Sequence, residues 1–489
     1  MSRINQNVGS MVAQRVLNQQ NMDLSKTLNR LSTGLRIVRG SDDPAGLIAS
    51  ENLRAEKAAI NSAMNNAERA EQVVNVAEGG LQEISSMLVE LQSLVTSTAN
   101  EAGVSTEEKE ANQLQIDSIL QSIDRIANST SFQGIKLLNG NFEYTTNGVN
   151  QGEIDDLTIN SAKLSNAAGS SISVDVTLVN SGSTGQVYLL DSGTTMGTNG
   201  DGQVTFEITG NEGTKQFTFA EGTAVSAVAT AINTFSDALG VQAVIEGDDV
   251  RIDSTGYGTD SFVRVRQLSA NGGTNYVSSS LGGAGVSDFK GIGVDAEVNI
   301  NGISATTNGL EARVSSEGFD VTLMLDAAFA GNGGTGGTSS FSITGGGADF
   351  NLGPQVNLAN KVSLGIEAVT TGSLGSSASG FLDSLKAGGG SNVVNGDLSS
   401  AQSVVEDAIK QVSSMRGRLG AFQKNTVGST INSLSIALEN TSAAESVIRD
   451  ADFAAETANM TRAQILGQAA TQALSMANNQ PSSVLALLG

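Results

Sequence analysis

The sequence predicts a mainly α-helical protein in which both chain ends form one long, coiled-coil-like helical bundle. β-rich outer domains are inserted between these ends, so the overall class is α+β. Two observations predict this class. Apolar residues recur with a seven-residue period at both ends of the 489-residue chain, and the period changes to two in the middle.

The longest apolar seam runs from Ile60 to Val95, with spacings of three and four residues throughout. Such a repeat keeps one side of a helix apolar, and at 1.5 Å per residue it predicts a rod of ~54 Å. A matching seam runs from Leu398 to Phe422, so we expect the two helices to lie side by side. The predicted core residues of this rod are Leu81, Ile84, Leu88, Leu91, Val405, Val412, Met415, Leu419 and Phe422.

Capping signals divide the first 140 residues. An amphipathic pattern over residues 1–43 is followed by a predicted break near Gly40. Asp42-Asp43-Pro44 is a helix start, because Asp caps and Pro fits the first helical position, and this helix should reach about Asn100. Ser105 to Glu108 resembles a capping box and predicts a further helix to about Asn128.

The middle of the chain, residues 141–399, alternates apolar and polar residues as strands do, for example from Ile172 to Leu178. One helix is expected from about Ala224 to Leu239. Gly, Ser and Thr tracts such as Gly331 to Ser340 indicate loops. The middle is therefore expected to be a β-rich insertion of two subdomains. It is also the more acidic part of the chain, with a net charge of −18 against −5 for the remainder.

Composition argues against catalysis and against several partners. The chain has no His and no Cys, which removes the usual general base and thiolate chemistry, so we expect no catalytic, cofactor or metal site. The net charge of −23 argues against nucleic acid and anionic membrane as partners. No apolar run approaches the ~18 residues of a membrane span, and no signal peptide is recognisable. These features predict a cytoplasmic protein, or one exported by a machine that reads no cleaved signal.

The helices predicted at the two extreme ends lack a cover. The first carries apolar residues at Leu17, Leu24 and Leu28, and the last ends in a strongly apolar tail. No third element remains within the chain to bury both. Exposed apolar surface of this kind marks an interaction site, so we expect strong self-association.

Both ends resemble bacterial flagellin. The N-terminal motifs are Leu31 to Ile37 and Asp42 to Gly46, and the C-terminal ones include Ile448 to Phe453 and Asn459 to Leu466. The resemblance implies that residues 1–43 and 450–489 are helices of a filament's inner tube, whereas 44–140 and 400–449 form the rod domain of its outer tube. It also implies a flagellin and hook-type β motif at 291–325.

The resemblance further implies a structural subunit that self-assembles into the helical flagellar filament used for swimming. Such a protein is secreted through the flagellum's type III channel, and its partners are many copies of itself, an export chaperone, and the cap and hook-junction proteins. Ser and Thr tracts in the middle suit either O-glycans or plain solubility. The alternatives are a hook–filament junction protein and, in another class, a filament-borne adhesin or surface enzyme.

The residues assigned to self-assembly combine the seams and the motifs. They are Leu17, Leu24, Leu28, Leu31, Leu35, Arg36, Val38, Phe453, Met460, Arg462, Ile465, Leu466, Leu474, Val484, Leu485, Leu487 and Leu488. One position departs from the family. Glu90 stands where members that activate Toll-like receptor 5 carry Arg, and this departure argues against recognition by that receptor.

Overall fold

The computed structural model describes residues 6–100, 103–165, 170–189, 195–196, 202–269, 275–281, 283–316, 318–334 and 336–486. The chain divides into two units. The first consists of the described residues within Met1–Ala70, Asn351–Asn360 and Lys424–Gly489, and the second of those within Glu71–Phe350 and Lys361–Gln423. In chain order, helical ends flank a strand-rich middle, which confirms the predicted fold class.

The described residues form nine α-helices, named in chain order. They are α1 (Val8–Thr33), α2 (Pro44–Thr98), α3 (Thr106–Ser129), α4 (Val225–Asn233), α5 (Ser236–Leu239), α6 (Ala327–Ala330), α7 (Leu398–Ala421), α8 (Gly428–Arg449) and α9 (Phe453–Ala486). None of the helices in this described part of the chain is long and apolar enough to cross a membrane.

The long helices start and end where local chemistry requires it. Asp43 caps α2, since its Oδ1 accepts a hydrogen bond from the backbone N–H of Gly46 at 2.9 Å, and Pro44 is the first helical residue. The break predicted near Gly40 comes earlier, because Gly34 takes the left-handed conformation with φ 71° and ends α1.

Between α7 and α8 the helix continues through a π-helical turn, Phe422–Val427. The sequence shows the same feature as a gap of five residues between two apolar positions, Phe422 and Val427, where the seam shifts register. A π-turn accommodates such an insertion without ending the helix.

In the first unit, α1 pairs with α9, and the beginning of α2 pairs with α8. The second pair has a small apolar core of Ile60, Ala63 and Leu434. Three ion pairs support it, from Lys57 Nζ to Glu445 at 3.3 Å, from Arg54 to Glu445 at 3.9 Å and from Arg449 to Glu51 at 2.9 Å.

In the second unit, the remainder of α2 packs with α3 and α7. The amide of Gln423, just beyond α7, donates to Asn75 at 3.0 Å, and Arg416 lies 4.0 Å from Glu78. Residue numbers increase along α2 in the direction in which they decrease along α7, so the two helices are antiparallel. All nine residues assigned to the rod core are buried.

A largely irregular segment, with two two-residue strands and one short 3-10 turn, also packs against α3 and α7. We call residues 365–397 the strap. Its Leu382 and Leu385 are fully buried in a short 3-10 turn, Leu382–Leu385. The sequence predicts that the whole strap belongs to the β-rich insertion, whereas in the structure it packs against α3 and α7.

Hydrogen bonds from helix side chains hold the strap. The buried amide of Gln113 donates to Leu385 O at 2.8 Å and accepts from Val393 N at 3.0 Å. Asp124 accepts from the backbone and the hydroxyl of Thr371 at 2.8 and 2.9 Å. The strap thus satisfies its backbone groups through α3, as a buried irregular segment must.

The strands are given in chain order. They are β1 (Ser131–Phe132), β2 (Ile135–Lys136), β3 (Thr145–Asn147), β4 (Ile154–Ala162), β5 (Ile172–Asn180), β6 (Thr184–Leu189), β7 (Thr195–Met196), β8 (Val204–Thr209), β9 (Thr214–Phe219), β10 (Thr223–Ala224), β11 (Val241–Glu246), β12 (Asp249–Tyr257), β13 (Phe262–Ser269), β14 (Val277–Ser278), β15 (Asp288–Ile292), β16 (Glu297–Ile300), β17 (Ile303–Ser304), β18 (Thr306–Asn308), β19 (Glu311–Ser316), β20 (Phe319–Leu325), β21 (Thr338–Gly345), β22 (Ala348–Asn351), β23 (Lys361–Leu364), β24 (Gly375–Ser376) and β25 (Gly380–Phe381).

The larger antiparallel sheets build two β subdomains. The first has strand orders β17-β16-β5-β21-β3 and β18-β19-β20-β4, around a core that includes Val174, Leu323 and Phe341. The second has orders β11-β12-β6-β14 and β15-β13-β8-β9, and its core includes Phe206 and Ile232 of α4. The second subdomain is inserted between β5 and β16 of the first.

Two local expectations for the middle need correction. The single helix expected from Ala224 to Leu239 is divided into α4 and α5, because the Asn233 side chain bonds the backbone of Ala243 at 2.7 and 2.9 Å and draws the helix end onto β11. The tract from Gly331 to Ser340 is expected to be a loop, but β21 begins within it at Thr338 and pairs with β5.

Candidate assembly surface

The pair of terminal helices, α1 and α9, is antiparallel. Asn7 Nδ2 donates to Ala477 O at 2.7 Å, and at the other end Arg30 Nη1 lies 3.1 Å from Glu456 Oε1. Glu456 is buried, so the loss of Arg30 would leave its side chain without an ion-pair partner inside the helix pair. The two helices are thereby fixed in register at both ends.

Each helix turns a seam of mostly small or medium side chains towards the other. On both helices the less exposed positions follow a three-four spacing, which is the coiled-coil repeat. On α1 they are Ala13, Leu17, Gln20, Leu24, Thr27 and Leu31, and on α9 they are Glu456, Met460, Ala463, Gly467, Ala470, Leu474 and Ala477. Small residues allow the helix axes to come close, but they leave little apolar area buried within the pair.

The remaining sides of both helices carry large apolar residues that stay in solvent. These residues are Val8, Met11, Val12, Val16, Met22 and Leu28 of α1, and Phe453, Ile465, Leu466 and Met476 of α9. A two-helix pair offers one face to its own partner and leaves the other faces uncovered. Exposed apolar surface of this extent marks a binding face.

A short joint connects the α1–α9 pair to the α2–α8 pair. Leu35 and Asp450 form an antiparallel bridge, with Arg36 N donating to Arg449 O at 2.7 Å and Ala451 N donating to Gly34 O at 2.9 Å. The chain passes between the two helix pairs twice, once between α1 and α2 and once between α8 and α9. Backbone hydrogen bonds join these two connecting segments, which limits the bending of either segment alone.

Charged groups surround this joint. The pKa of Asp42 is lowered, chiefly by the hydrogen bond from Arg39 N at 3.0 Å and further by Lys26 at 3.2 Å. The pKa of Glu51 is lowered mainly by Arg54, at 2.8 Å. Both carboxylates are thus charged at neutral pH, although solvent strongly screens exposed pairs of this kind.

The structure divides the residues assigned to assembly into three groups. Half-buried within the chain are Leu17, Leu24, Leu31, Leu35, Val38, Met460 and Leu474. Exposed to solvent are Leu28, Arg36, Phe453, Arg462, Ile465 and Leu466. The side chains of Val484, Leu485, Leu487 and Leu488 lie outside the described residues. The exposed group is the one free to contact another molecule.

Sequence reasoning missed two contributors to this region. Ile37 is completely buried in the joint, where it packs closely against Gly46. It lies in an irregular segment, so no periodicity marks it. Thr27 of α1 is buried as well, and its hydroxyl bonds Asp23 O at 2.7 Å; counting leucines alone passed over it.

Two further observations concern other possible sites. Glu90 is exposed on α2 beside Val89, so the position that departs from the receptor-activating pattern faces solvent. Within the described part of the chain, no cluster of His, Cys, Asp and Glu has the arrangement of a metal site.

Three family models match the chain. The bacterial flagellin N-terminal helical region matches residues 4–143, the bacterial flagellin C-terminal helical region matches 402–488, and the flagellin hook IN motif matches 205–255. Together they cover more than half of the 489 residues. The hook motif match lies in the second β subdomain, and the separate motif expected at 291–325 stays a prediction.

Curated relatives match along the whole chain. Flagellin B of Vibrio cholerae serotype O1 is 28% identical over 489 residues, and flagellin A of Helicobacter pylori is 27% identical over 552 residues. Each alignment covers 99% of this chain and 99% of the relative.

Among solved structures, Xanthomonas campestris FlgL is 14% identical and has a TM-score of 0.27, with 79% of this chain and 98% of that chain covered. The D1-D2-D3 domains of the flagellar cap protein FliD from Escherichia coli have the same TM-score of 0.27 at 13% identity, with 54% and 64% covered. At such scores the solved structures add no argument about this chain.

Proposed function

The chain belongs to the bacterial flagellin family, and we propose that it polymerises with copies of itself through the exposed faces of α1 and α9. It is a subunit of the flagellar filament, and its full-length relatives favour this function over a junction protein or an adhesin. The observation that supports the proposal is the large apolar surface left uncovered on the terminal helix pair.

Burial of these side chains supplies the driving force. Covering one Val, Leu, Ile, Phe or Met contributes ~1.5–3 kcal/mol, and α1 and α9 together expose ten such residues. Association costs of ~4–15 kcal/mol consume part of this gain. The balance favours polymerisation when several helix pairs pack together, as they would in the core of a tube.

The contacts should be heterologous, meaning that one face of a copy meets a different face of the next. When the rotation from one copy to the next does not complete a ring, such contacts extend into a helical filament. We assign residues 1–43 and 450–489 to the inner tube and the rod domain, 44–140 and 400–449, to the outer tube. The acidic β subdomains are assigned to the outer surface.

The remaining assignments follow from family membership. The protein would be exported through the flagellar channel to the cell exterior, with an export chaperone, and would meet the cap and hook-junction proteins. Catalysis is no part of this proposal, since the flagellin family is structural. The exposed Glu90 argues against recognition by Toll-like receptor 5.

Seeded growth of filaments tests the proposal. Purified monomer added to short filament seeds should lengthen them many-fold. Leu28→Asp combined with Ile465→Asp should abolish growth, because both charges would have to be buried in the assembly. The matched control is Ile303→Asp, which changes a residue of β17 that is as exposed as Leu28 and should leave growth unchanged.

Two results would contradict the proposal: wild-type seeds that fail to lengthen, or growth of the double variant at the wild-type rate. Limited proteolysis adds a separate check on the terminal helices. We expect residues 1–43 and 450–489 to be cleaved in the monomer and protected in the filament, because the apolar faces of α1 and α9 are covered only on assembly. Equal resistance before and after assembly would refute that expectation.

A further inference from the structure

The loop between β22 and β23, residues 352–360, presents apolar side chains to solvent. Val356 is 86% exposed, the highest value among the large apolar residues that the structure describes, and Leu358 is 49% exposed. Leu352 at the base of the loop is buried. The loop thus has an anchored base and an apolar tip.

The tip is held in place by the loop's own hydrogen bonds. Leu352 N donates to Asn360 O at 3.0 Å, Asn360 Nδ2 donates to Gln355 O at 2.9 Å, and Asn360 N donates to Asn357 Oδ1 at 2.8 Å. Pro354 restricts the backbone further. A preorganised loop loses little conformational entropy when another molecule covers it.

The loop groups with the part of the molecule that assembles. Although its sequence lies within the β-rich insertion, residues 351–360 belong by their contacts to the first unit, together with α1, α8 and α9. Its apolar tip therefore belongs to the same unit that carries the proposed assembly surface.

The distribution of charge along the chain indicates which molecule would contact the loop. Of the net charge of −23, −18 lies in residues 141–399, so repulsion between neighbouring copies is concentrated in the β-rich middle and is weak at the first unit. Residues 352–360 contain no charged side chain. An uncharged apolar loop is a place where one acidic copy can approach another at low electrostatic cost.

We propose that the 352–360 loop docks, through Val356 and Leu358, against the first unit of a neighbouring copy in the filament. This inference rests on the proposed function, because the second copy must be brought alongside by polymerisation. The loop would add a contact outside the terminal helices and would strengthen the filament without being required for its formation.

Photo-crosslinking tests the proposal directly. The chain has no Cys, so Val356→Cys gives a single attachment point for a benzophenone maleimide. Irradiated filaments should yield covalent dimers, with the linked peptide in residues 6–70 or 424–486 of the second copy. Labelled monomer at the same concentration should yield none. Ile303→Cys, labelled in the same way, is the matched control and should not link to those residues.

The variant Val356→Asp gives a second readout. Its critical concentration for filament growth should rise about tenfold, as expected for the loss of one buried Val at each contact, while the melting temperature of the monomer stays unchanged. Crosslinks confined to one chain, or an unchanged critical concentration in Val356→Asp, would overturn the proposal. Failure of the unlabelled wild type to extend seeds would instead overturn the proposed function.

Discussion

Tyr144 is buried in the core of the first β subdomain, with its ring against Gly347 and Gly365, where a side chain would collide. Its hydroxyl accepts a hydrogen bond from Ala162 N at 2.9 Å. Burial, with a smaller contribution from the nearby Asp349 carboxylate, raises the pKa of Tyr144 to about 12. The neutral phenol is therefore part of the folded state.

This position predicts a pH dependence of stability. In the unfolded chain the phenol ionises near its ordinary pKa of ~10, so its stabilising contribution is complete below pH ~10 and is lost as the pH rises towards 12. Tyr144→Phe should cost about 1–3 kcal/mol at neutral pH, because Ala162 N loses its acceptor. The difference in unfolding free energy between wild type and variant should shrink between pH 10 and 12.

Denaturant titrations of both proteins at several pH values measure this difference. Absorbance of the tyrosinate provides the control, since the variant should lack the most alkaline step of the titration. A difference that stays constant from pH 8 to 12 would show that the phenol does not titrate with unfolding.

Single residues also show where sequence reasoning reaches its limit. Leu88 and Val405 were identifiable because large apolar residues at heptad spacing report burial directly. Thr27 and Ala463 were not, although both are buried between α1 and α9. Where two helices approach closely, small side chains fill the interface, and hydrophobicity alone then loses its signal.

At the scale of elements, the seam of α2 separates buried from exposed positions at adjacent residues. Leu88 is 0% exposed and Val89 is 56% exposed. Leu88→Ala should destabilise the monomer by about 2–5 kcal/mol, through lost transfer energy and the cavity that remains. Val89→Ala, the neighbouring control, should change stability by no more than about 0.5 kcal/mol.

Thermal or denaturant unfolding followed by circular dichroism measures both variants. If Leu88→Ala and Val89→Ala were equally mild, the α2 seam would not form the core of the rod. Filament growth is a useful companion measurement, because Leu88→Ala should affect the monomer and the filament together, whereas Leu28→Asp should affect only the filament.

Elements differ in how far their sequence predicts them. The start of α2 at Pro44, the strand alternation of β5 and the register shift at the π-turn each follow from a local pattern. The strap does not, because residues 365–397 have neither helical nor strand periodicity and contain many Gly and Ser residues. Its place is set by contacts from α3 and α7 that are distant in sequence, such as those of Gln113.

At the scale of the whole molecule, we propose that the strap belongs to the rod, so that the insertion ends near Gly365 and not at residue 399. The chain enters and leaves the first β subdomain at adjacent points, since Phe142 pairs with Ile366 in an antiparallel bridge and Ile366 N donates to Phe142 O at 3.1 Å. Val369 N likewise donates to Leu138 O at 3.0 Å. These contacts join the two chain segments at the point where the insertion begins and ends.

The molecule should therefore tolerate removal of the insertion between these points. Replacing residues 144–364 by Asn-Gly would join Glu143 to Gly365 through a two-residue hairpin turn next to the Phe142–Ile366 pair. We expect the shortened chain to keep its helical circular dichroism and to extend seeds made of itself, because the strap, α3 and α7 remain complete.

The same shortened chain with Leu382→Asp is the matched control. Leu382 is fully buried in the strap, and an unpaired charge there should cost several kcal/mol and unfold the rod. If the shortened chain is itself unfolded, the insertion stabilises the rod and the boundary at Gly365 is wrong. If the Leu382→Asp control remains folded and polymerises, the strap is no part of the rod, and the boundary originally expected at residue 400 is the better one.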